Sequence, residues 1–437
     1  MVTTSLPPFD TDSEAAGLMA FVDASPTPFH AVLQAGWLLE EAGFSRLDET
    51  DPVPARPGRY YLVRGGSLVA WSSEGEHATA EPFRIVGAHT DSPTLHIKPQ
   101  PDLARAGWQL LGVEVYGGPL LNSWLDRDLA LSGRVAVRDA TAPHGVGTRL
   151  LTGSDPVLRV AQLAIHLDRT QNDGLTLNRQ QHLSPLWMQG SAPGDFTGWL
   201  AEQVEVARRD VLGWDVMTHD TQASQRIGPT RDLLAAPRLD NLATSYAATR
   251  ALVEAVAVNE GHTPVVVLFD HEEVGSQSER GAMSTLLPSV LERIVLRRGG
   301  TRDDYLRALA GTIVASGDMA HATHPNYPER HEPQHLIAVN GGPVLKVNAQ
   351  LRYATDGVGA AAFRLACEQA QVPMQRFVTR SDLPCGSTVG PMTSALLGAT
   401  TVDFGAPMLS MHSARELMGA RDPAMYAAAL TAFLAPD

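Results

Sequence analysis

The C-terminal half of the chain alternates between short apolar segments and longer amphipathic ones, and this alternation constrains the fold most strongly. The segment Thr263 to Phe269 (TPVVVLF) has the composition of a strand buried on both faces. Helical patterns lie before it, at 240–258, and after it, at 284–296. The alternation continues through strands predicted at 312–316, 344–347, 374–379 and 400–404 and helices predicted at 358–370, 392–397 and 423–434. Strands alternating with helices predict an α/β fold with a largely parallel sheet.

The N-terminal part predicts further elements of the same domain. Helical patterns lie at 14–23 and 30–42. Apolar segments at 60–63 and 67–72 flank Arg64-Gly65-Gly66, which indicates a hairpin. A strand at 83–88 then leads to His89.

The middle of the chain has a different sequence pattern and is predicted to be β-rich. Its predicted elements are strands at 110–116, 131–137 and 157–166, an irregular polar stretch at 171–194 and a helix at 196–209. The expected fold class is therefore α/β, with a catalytic domain whose central, mostly parallel sheet is flanked by helices. That domain is expected at 1–95 and 235–437, and 96–234 is expected to be an inserted β-rich domain.

Composition excludes several classes of protein. The chain has 437 residues, 44% of them apolar, and a formal net charge of -14, which argues against a nucleic-acid scaffold and against a basic protein that binds membranes. Its two cysteines exclude a disulfide scaffold and a four-thiolate zinc site, and they suit a reducing cytoplasm. The N-terminus lacks the pattern of a secretory signal, and no apolar run is long enough to span a membrane.

Several predicted strands end next to a carboxylate or a histidine. Ligands of open α/β sheets bind beyond the carboxyl ends of the strands, so these positions are where a site is expected. The groups found there are His89 and Asp91 after FRIVGA, Asp270 to Glu273 after VVVLF, Asp318 after TIVAS, His412 after TTVDFGAPML, and Asp240 at the start of a long helix.

Each of these residues has a structural alternative. Asp240 has the residue type of a helix N-cap, His89 and His412 could be loop histidines, and Glu272-Glu273 could be a solvated acidic pair. Taken together, however, nitrogen and carboxylate ligands without thiolate suit Zn²⁺, Mn²⁺ or Co²⁺. Two histidines and three acidic ligands exceed the needs of one four-coordinate ion, and they predict two ions that share a bridging carboxylate.

Two further carboxylates complete the chemistry expected from the residues alone. Glu272 adjoins a ligand glutamate and is free to accept a proton from the attacking water. Asp91, two residues after His89, can accept the other ring N–H of that histidine and fix its tautomer.

Eight segments of the chain, in order, resemble the aspartyl aminopeptidase family of dinuclear zinc exopeptidases. They are GAHTDSPTLHIKP, WLDRDLALSGRV, RLDNL, DHEEVGS, SGDMAHATHPNY, GGPVLKVN, PCGSTVGPM and MHSARE. HTDSP, DHEEVGS and DMAHATHPNY are highly specific in combination. The resemblance covers nearly the whole chain.

The resemblance implies a role for each candidate residue. One ion would be bound by His89, Asp240 and Asp318, and the second by Asp240, Glu273 and His412, with Asp240 bridging. Glu272 would be the general base and acid, and Asp91 would orient His89. His166 would contact substrate or the oxyanion, in its own or a neighbouring subunit, while Lys346 and His324 would line the substrate pocket.

The function implied is hydrolysis of the N-terminal residue of peptides, with a preference for Asp or Glu, by attack of a water bound to the two metals. The metals are expected to be zinc, with manganese or cobalt as alternatives. The family forms dimers and usually a tetrahedral dodecamer, and 96–234 would be the dimerisation domain. Lys346 is one of only two lysines, and an ammonium suits an acidic side chain; its structural alternative is a surface lysine on a strand edge.

Three hypotheses compete at this point. The first is the acidic-residue aminopeptidase. The second keeps the two metals but acts on neutral N-terminal residues, or as a carboxypeptidase or deacylase. The third is a catalytically inactive binding protein, which the presence of all five ligand residues and of Glu272 disfavours.

Overall fold

The structure is a computed structural model that describes residues 9–75, 77–256 and 261–437. The chain divides into two units. The first spans 1–91, 224–411 and 416–437, and the second spans 92–223 and 412–415. The catalytic and dimerisation roles expected for 1–95 with 235–437 and for 96–234 remain predictions.

The first unit is built on a nine-stranded sheet. Its strands, in spatial order, are Ser45–Arg46, Arg59–Arg64, Ser67–Ser72, Thr263–Phe269, Phe83–His89, Ile313–Gly317, Thr400–Gly405, Val344–Val347 and Gln375–Val378. The hairpin predicted around Gly65 is present, and that glycine has a φ of +60°. Five of the eight neighbouring pairs are parallel, as the alternation of strands and helices predicts.

Helices cover both faces of this sheet, because alternate residues of its central strands point to opposite sides. Val266 and Leu268 lie in one apolar cluster, whereas Val265 and Val267 lie in the other. The helices of the unit are Thr11–Asp23, Pro28–Glu41, Leu239–Ala255, Leu286–Arg297, Arg302–Ala310, Gly357–Gln369, Val389–Leu397 and Asp422–Leu434, with 3₁₀ turns at Glu272–Val274 and Pro328–Arg330.

A second, smaller sheet in the first unit was not predicted. It contains the strands Gln225–Ile227, Leu233–Ala236, Glu416–Gly419, Pro407–Leu409 and Ala320–His321 in spatial order. Each has two to four residues, too few for a period-2 pattern to be recognised. The helix predicted at 240–258 is found at Leu239–Ala255, and residues 257–260 lie outside the described ranges.

The second unit contains a seven-stranded antiparallel sheet. Its strands, in spatial order, are Val211–Asp220, Thr94–Arg105, Trp108–Tyr116, Leu186–Gln189, Leu158–Arg159, Asp128–Arg138 and Val146–Thr152. Its helical segments are Phe196–Gln203 and the 3₁₀ turns Leu121–Trp124, Pro143–Gly145 and Arg208–Asp210.

The strand predicted at 157–166 is largely wrong. Only Leu158–Arg159 forms a strand, although Val160 makes an isolated bridge to Leu125. The later apolar residues of the pattern do not pack inward: Leu163 is 52% exposed and Ile165 is 42% exposed. The alternation of apolar residues at 157–166 therefore does not reflect burial in the core of the second unit.

Within the described residues, no helix is long and apolar enough to cross a membrane. Both cysteines, Cys367 and Cys385, are free.

Candidate metal centre

The register of the central parallel strands brings the predicted polar residues to one edge of the sheet. Phe269 pairs with His89, so Asp270 and the residues that follow leave the sheet beside that histidine. The strand Ile313–Gly317 runs parallel on the other side, with Ser316 opposite Gly87, and it leads directly to Asp318. Parallel pairing therefore places three predicted strand ends side by side.

His89 lies at the middle of this edge and is 1% exposed. Its Nε2 atom is 3.5 Å from Asp240 Oδ1 and 3.6 Å from Asp318 Oδ1. On the other side of the ring, Nδ1 is 3.0 Å from the backbone oxygen of Asp91 and 3.4 Å from its carboxylate Oδ1. The nitrogen facing the two carboxylates is thus oriented by contacts that the opposite nitrogen makes with one residue.

Asp240 is held by the turn that precedes the long helix. Arg238 has a left-handed φ of 53°, and its guanidinium donates to the carbonyl oxygens of Val22 and Ser25 at 3.0 and 3.1 Å. The backbone N–H of Asp240 donates to Glu416 Oε2 at 3.0 Å, and the Asn241 side chain donates to the Gly317 carbonyl at 2.8 Å. The peptide bond between Asp240 and Asn241 is cis. The hydrogen bonds of Arg238, Asp240 and Asn241 therefore hold the backbone around Asp240 from several sides.

Glu272 and Glu273 lie on a short 3₁₀ turn directly after the buried strand Thr263–Phe269. The backbone N–H groups of both residues donate to the two carboxylate oxygens of Asp91, each at 3.1 Å. Asp91 therefore contacts both His89 and the glutamate turn. The sequence predicts only the contact with the histidine.

Burial raises the pKa of Glu272 to about 8. The nearby His89 acts against this increase, while the carboxylates of Asp318, Asp91 and Asp240 add to it. Burial also acts to lower the pKa of His89, but hydrogen bonds to Asp240, Asp318 and Asp91 outweigh it and raise that pKa well above its ordinary value. Both pKa values are raised because these groups lie in an enclosed cluster of carboxylates, where negative charge accumulates and cations are favoured.

The donor set fits a divalent metal. His89, Asp240 and Asp318 offer ligand atoms that all lie within 4.8 Å of one another, and so do His89, Glu272 and Glu273. Ligands about 2.0–2.2 Å from one tetrahedral ion stand roughly 3.3–3.6 Å apart. The observed distances of 3.5 and 3.6 Å from His89 to the two aspartates agree with that spacing.

His412 belongs to the second unit, where its Nδ1 atom lies 3.0 Å from the Gly118 carbonyl oxygen. A contact of one ring nitrogen with a carbonyl is the usual arrangement for a histidine that ligates a metal through the other nitrogen. Its φ of 68° is left-handed. The role of His412 as a ligand remains a prediction.

Lys346 is buried beside the centre and is only 3% exposed, so the alternative of a surface lysine is wrong. Its Nζ atom lies 3.8 Å from Asp318 Oδ2 and 5.3 Å from the centroid of the Tyr353 ring. The contact with Tyr353 combines a cation with an aromatic face. Lys346 thus adds a positive charge next to one of the predicted metal ligands.

The two remaining predicted site residues lie in loops. The Nδ1 atom of His324 accepts a hydrogen bond from the backbone N–H of Asn326 at 3.2 Å. The backbone N–H of His324 donates to His331 Nε2 at 3.0 Å. His166 lies in the second unit, in an exposed segment that also contains Ile165 and the 74% exposed Leu167. Their roles at a site remain predictions.

Sequence reasoning missed the residues that support the centre. Glu416 binds the N–H of Asp240, and Arg280 binds Asp270 at the start of the glutamate turn, with Nε 2.8 Å from Asp270 Oδ2. Glu416 lies at the end of the segment MHSARE. No periodic pattern in the sequence identifies the residue that this buried glutamate binds. These contacts connect parts of the chain that are far apart in sequence or lie in an irregular loop.

Comparison with known proteins gives one consistent family. A family model described as aminopeptidase I zinc metalloprotease (M18) matches residues 21–434. A protein of Mycobacterium tuberculosis H37Rv described as probable M18 family aminopeptidase 2 is 56% identical over 429 residues, which is 97% of this chain and 98% of that protein. A protein of Streptomyces coelicolor with the same description is 52% identical over 424 residues, or 96% and 97% of the two chains.

Solved structures agree with this result. The Ape4 and Nbr1 complex includes a chain with a TM-score of 0.93 and 34% identity, over 99% of this chain and 87% of that one. The S. cerevisiae mApe1 dodecamer gives a TM-score of 0.84 and 26% identity, over 97% and 96% of the two chains.

Proposed function

The chain belongs to the aminopeptidase I zinc metalloprotease (M18) family, and from that premise we propose that it removes Asp or Glu from the N-terminus of peptides. Membership makes it a metal-dependent aminopeptidase and makes zinc the expected metal. The preference for acidic residues and the use of two ions are the proposal. The observation that carries it is the cluster of His89, Asp240 and Asp318 beside the buried cation of Lys346.

Two divalent ions are proposed, with Asp240 as the shared ligand. His89 and Asp318 would complete the first set, and Glu273 and His412 the second. Zinc is the first choice, and manganese or cobalt could bind the same donors. When bound, such ions polarise a peptide carbonyl and lower the pKa of a coordinated water toward about 7.

Glu272 is proposed to move the proton. Its carboxylate accepts a proton from the attacking water and returns it to the leaving amine as the peptide bond breaks. Asp91 keeps the carboxylate aimed by binding the N–H groups of Glu272 and Glu273, and it orients His89 at the same time.

Lys346 is proposed to select the acidic side chain. It is buried, and an ammonium within the enclosed site attracts a carboxylate more strongly than one in water does. His324 is proposed to line the same pocket. Lys346 also lies 3.8 Å from Asp318 Oδ2, so metal content is measured together with substrate preference when Lys346 is replaced.

The chain is further proposed to self-associate. The solved relative mApe1 is a dodecamer, and the second unit of this chain exposes several large apolar side chains. These are Leu103, Trp108, Leu120, Val146, Leu150, Leu163, Ile165, Leu167, Leu175, Met188 and Leu212. Subunit contacts would cover some of these side chains, and residues 96–234 are the proposed dimerisation domain. His166, flanked by Ile165 and Leu167, is proposed to act on substrate in its own or a neighbouring subunit.

Both free cysteines suit a reducing, cytoplasmic location, which is also part of the proposal.

The test of the proposed function is a panel of aminoacyl anilides. Asp-, Glu-, Leu- and Lys-anilides are assayed with and without a chelator, and with Zn²⁺, Mn²⁺ or Co²⁺ restored. We expect chelator-sensitive turnover with kcat/KM for Asp and Glu about 10-fold or more above that for Leu. The variant Lys346→Met should lose this preference while it keeps its metal content.

The outcomes separate the alternatives. A wild-type protein that prefers Leu would reject acidic specificity and the role of Lys346, but would retain the metal chemistry. Cleavage confined to a peptide C-terminus or to an acylated amine would replace the aminopeptidase with a carboxypeptidase or deacylase.

A further inference from the structure

We propose that Arg280 is a positioning residue for catalysis: it holds the turn that presents Glu272 and Glu273. The inference rests on the proposed function, because it gives these two glutamates their roles. Arg280 lies seven residues after Glu273, and its side chain folds back to the beginning of the turn. It does not touch the proposed ligands, so its effect would pass through Asp270 and His271.

The guanidinium of Arg280 occupies an enclosed position, and its side chain is 13% exposed. Its Nε atom donates to Asp270 Oδ2 at 2.8 Å, and Nη2 lies 3.2 Å from His271 Nε2. Asp270 is 1% exposed, so it depends on this charge. Removal of one partner of a buried ion pair leaves the other charge uncompensated.

The same contact fixes the orientation of His271. A guanidinium only donates hydrogen bonds, so Nε2 of His271 must accept, and Nδ1 carries the proton. That nitrogen lies 2.7 Å from Ser278 Oγ, which accepts from it. The backbone N–H of His271 also donates to Asp270 Oδ1 at 2.9 Å. Arg280, Asp270 and His271 therefore form a closed set of hydrogen bonds at the turn, and Ser278 extends it from His271.

The turn needs this support because its backbone is unfavourable. His271 and Ser276 have φ values of 65° and 60°, in the left-handed region that non-glycine residues rarely adopt. A residue in this region is strained and persists only where the surrounding structure holds it there. Ser67 supplies a second anchor: its hydroxyl accepts the Asp270 N–H at 2.8 Å and donates to the Arg280 carbonyl at 2.7 Å.

Arg64, the last residue of the strand Arg59–Arg64, provides a matched comparison because its side chain contacts the same loop. Its Nη1 atom donates to the Glu279 carbonyl at 2.7 Å, and Nε donates to Glu49 Oε2 at 2.9 Å. It is similarly shielded, with 24% side-chain exposure. It anchors the outer end of the loop, and none of its hydrogen bonds reaches Asp270 or His271. Loss of Arg64 should therefore weaken the fold without moving the glutamates.

The experiment compares Arg280→Met with Arg64→Met in the metal-loaded protein, at a temperature where both remain folded by circular dichroism. We expect Arg280→Met to lower kcat by about 10- to 100-fold with little change in KM, because misplacement of a catalytic group by about 1 Å costs this much. Arg64→Met should change kcat by less than about 2-fold. Addition of guanidinium to Arg280→Ala should restore part of kcat, and an equal concentration of ammonium should restore less, because only guanidinium reproduces the planar donor set.

A second measurement separates this inference from the proposed function. Hydrogen exchange of the peptide that contains Glu272 and Glu273 needs no assay of turnover. We expect faster exchange there in Arg280→Met than in Arg64→Met, because the N–H groups bound to Asp91 are released. Equal kcat and equal exchange in the two variants would overturn the positioning role. Absence of aminopeptidase activity in the wild type, with the exchange difference present, would instead reject the proposed function.

Discussion

The two sides of the candidate centre are held in place by different means. His89 and Asp318 stand at the ends of neighbouring parallel strands, and the register of the sheet sets their separation. Glu272 and Glu273 stand on a turn with left-handed residues on both sides, at His271 and Gly275, and its position depends on side-chain contacts from Asp91 and Asp270. His89 and Asp318 are thus positioned by the sheet itself, whereas Glu272 and Glu273 are positioned by side-chain contacts with their turn.

This difference separates binding from proton transfer. A ligand at a strand end moves only if the sheet moves, so it suits the permanent task of holding an ion. A glutamate on a supported turn can be displaced slightly while the sheet stays intact. We therefore expect changes on the sheet side to remove the metals, and changes around the turn to lower turnover while the metals remain.

The largest effect is expected from His89→Ala. The imidazole contacts both Asp240 and Asp318. Its loss removes a proposed metal ligand and leaves these two buried carboxylates without this neighbouring partner. We expect metal content to fall by at least one ion per chain and kcat/KM to fall by about 10³-fold or more. Elemental analysis and anilide turnover measure the two effects.

His30→Gln is the matched control for that variant. His30 is a buried histidine that is not one of the proposed ligands: it is 3% exposed, and its Nδ1 atom lies 2.8 Å from the Thr27 hydroxyl. Its replacement should cost about 1–3 kcal/mol of unfolding free energy and leave metal content unchanged. If both variants lost metal equally, the sheet side would owe its effect to general stability and not to ligation.

A smaller effect is expected from Asp91→Asn, which lies between the two sides. One oxygen of the amide can still accept an N–H, but the NH₂ group cannot accept the other, so one of Glu272 and Glu273 loses its anchor. We expect kcat to fall about 10- to 100-fold, the range for residues that orient metal ligands. Metal content should fall less than in His89→Ala. A variant with full kcat would show that the glutamate turn does not need Asp91.

The sheet side of the centre could be predicted from the sequence because strand ends are set by local pattern. The segment TPVVVLF is buried at every position, and the polar residues after it leave the sheet beside His89. The hairpin around Gly65 and the helices of the C-terminal half follow from signals of the same kind.

The support of the turn could not be predicted in this way. The bond from Arg280 to Asp270 depends on a loop with no periodicity, and the bond from Glu416 to Asp240 joins residues 176 positions apart. The small sheet was missed because its strands are too short. The segment 157–166 was misassigned because its apolar residues, Leu163 and Ile165, are exposed in this unit.

The most direct test of the account is the turnover and metal content of Glu272→Gln. The amide keeps the size of the side chain but cannot accept the proton, whose transfer contributes about 10²–10⁴-fold to a rate. The account predicts a folded protein that retains two divalent ions per chain and loses about 10²-fold or more of kcat on Asp-anilide. Near wild-type kcat in that variant would contradict the assignment of Glu272 as the proton acceptor, and with it the proposed division of the centre.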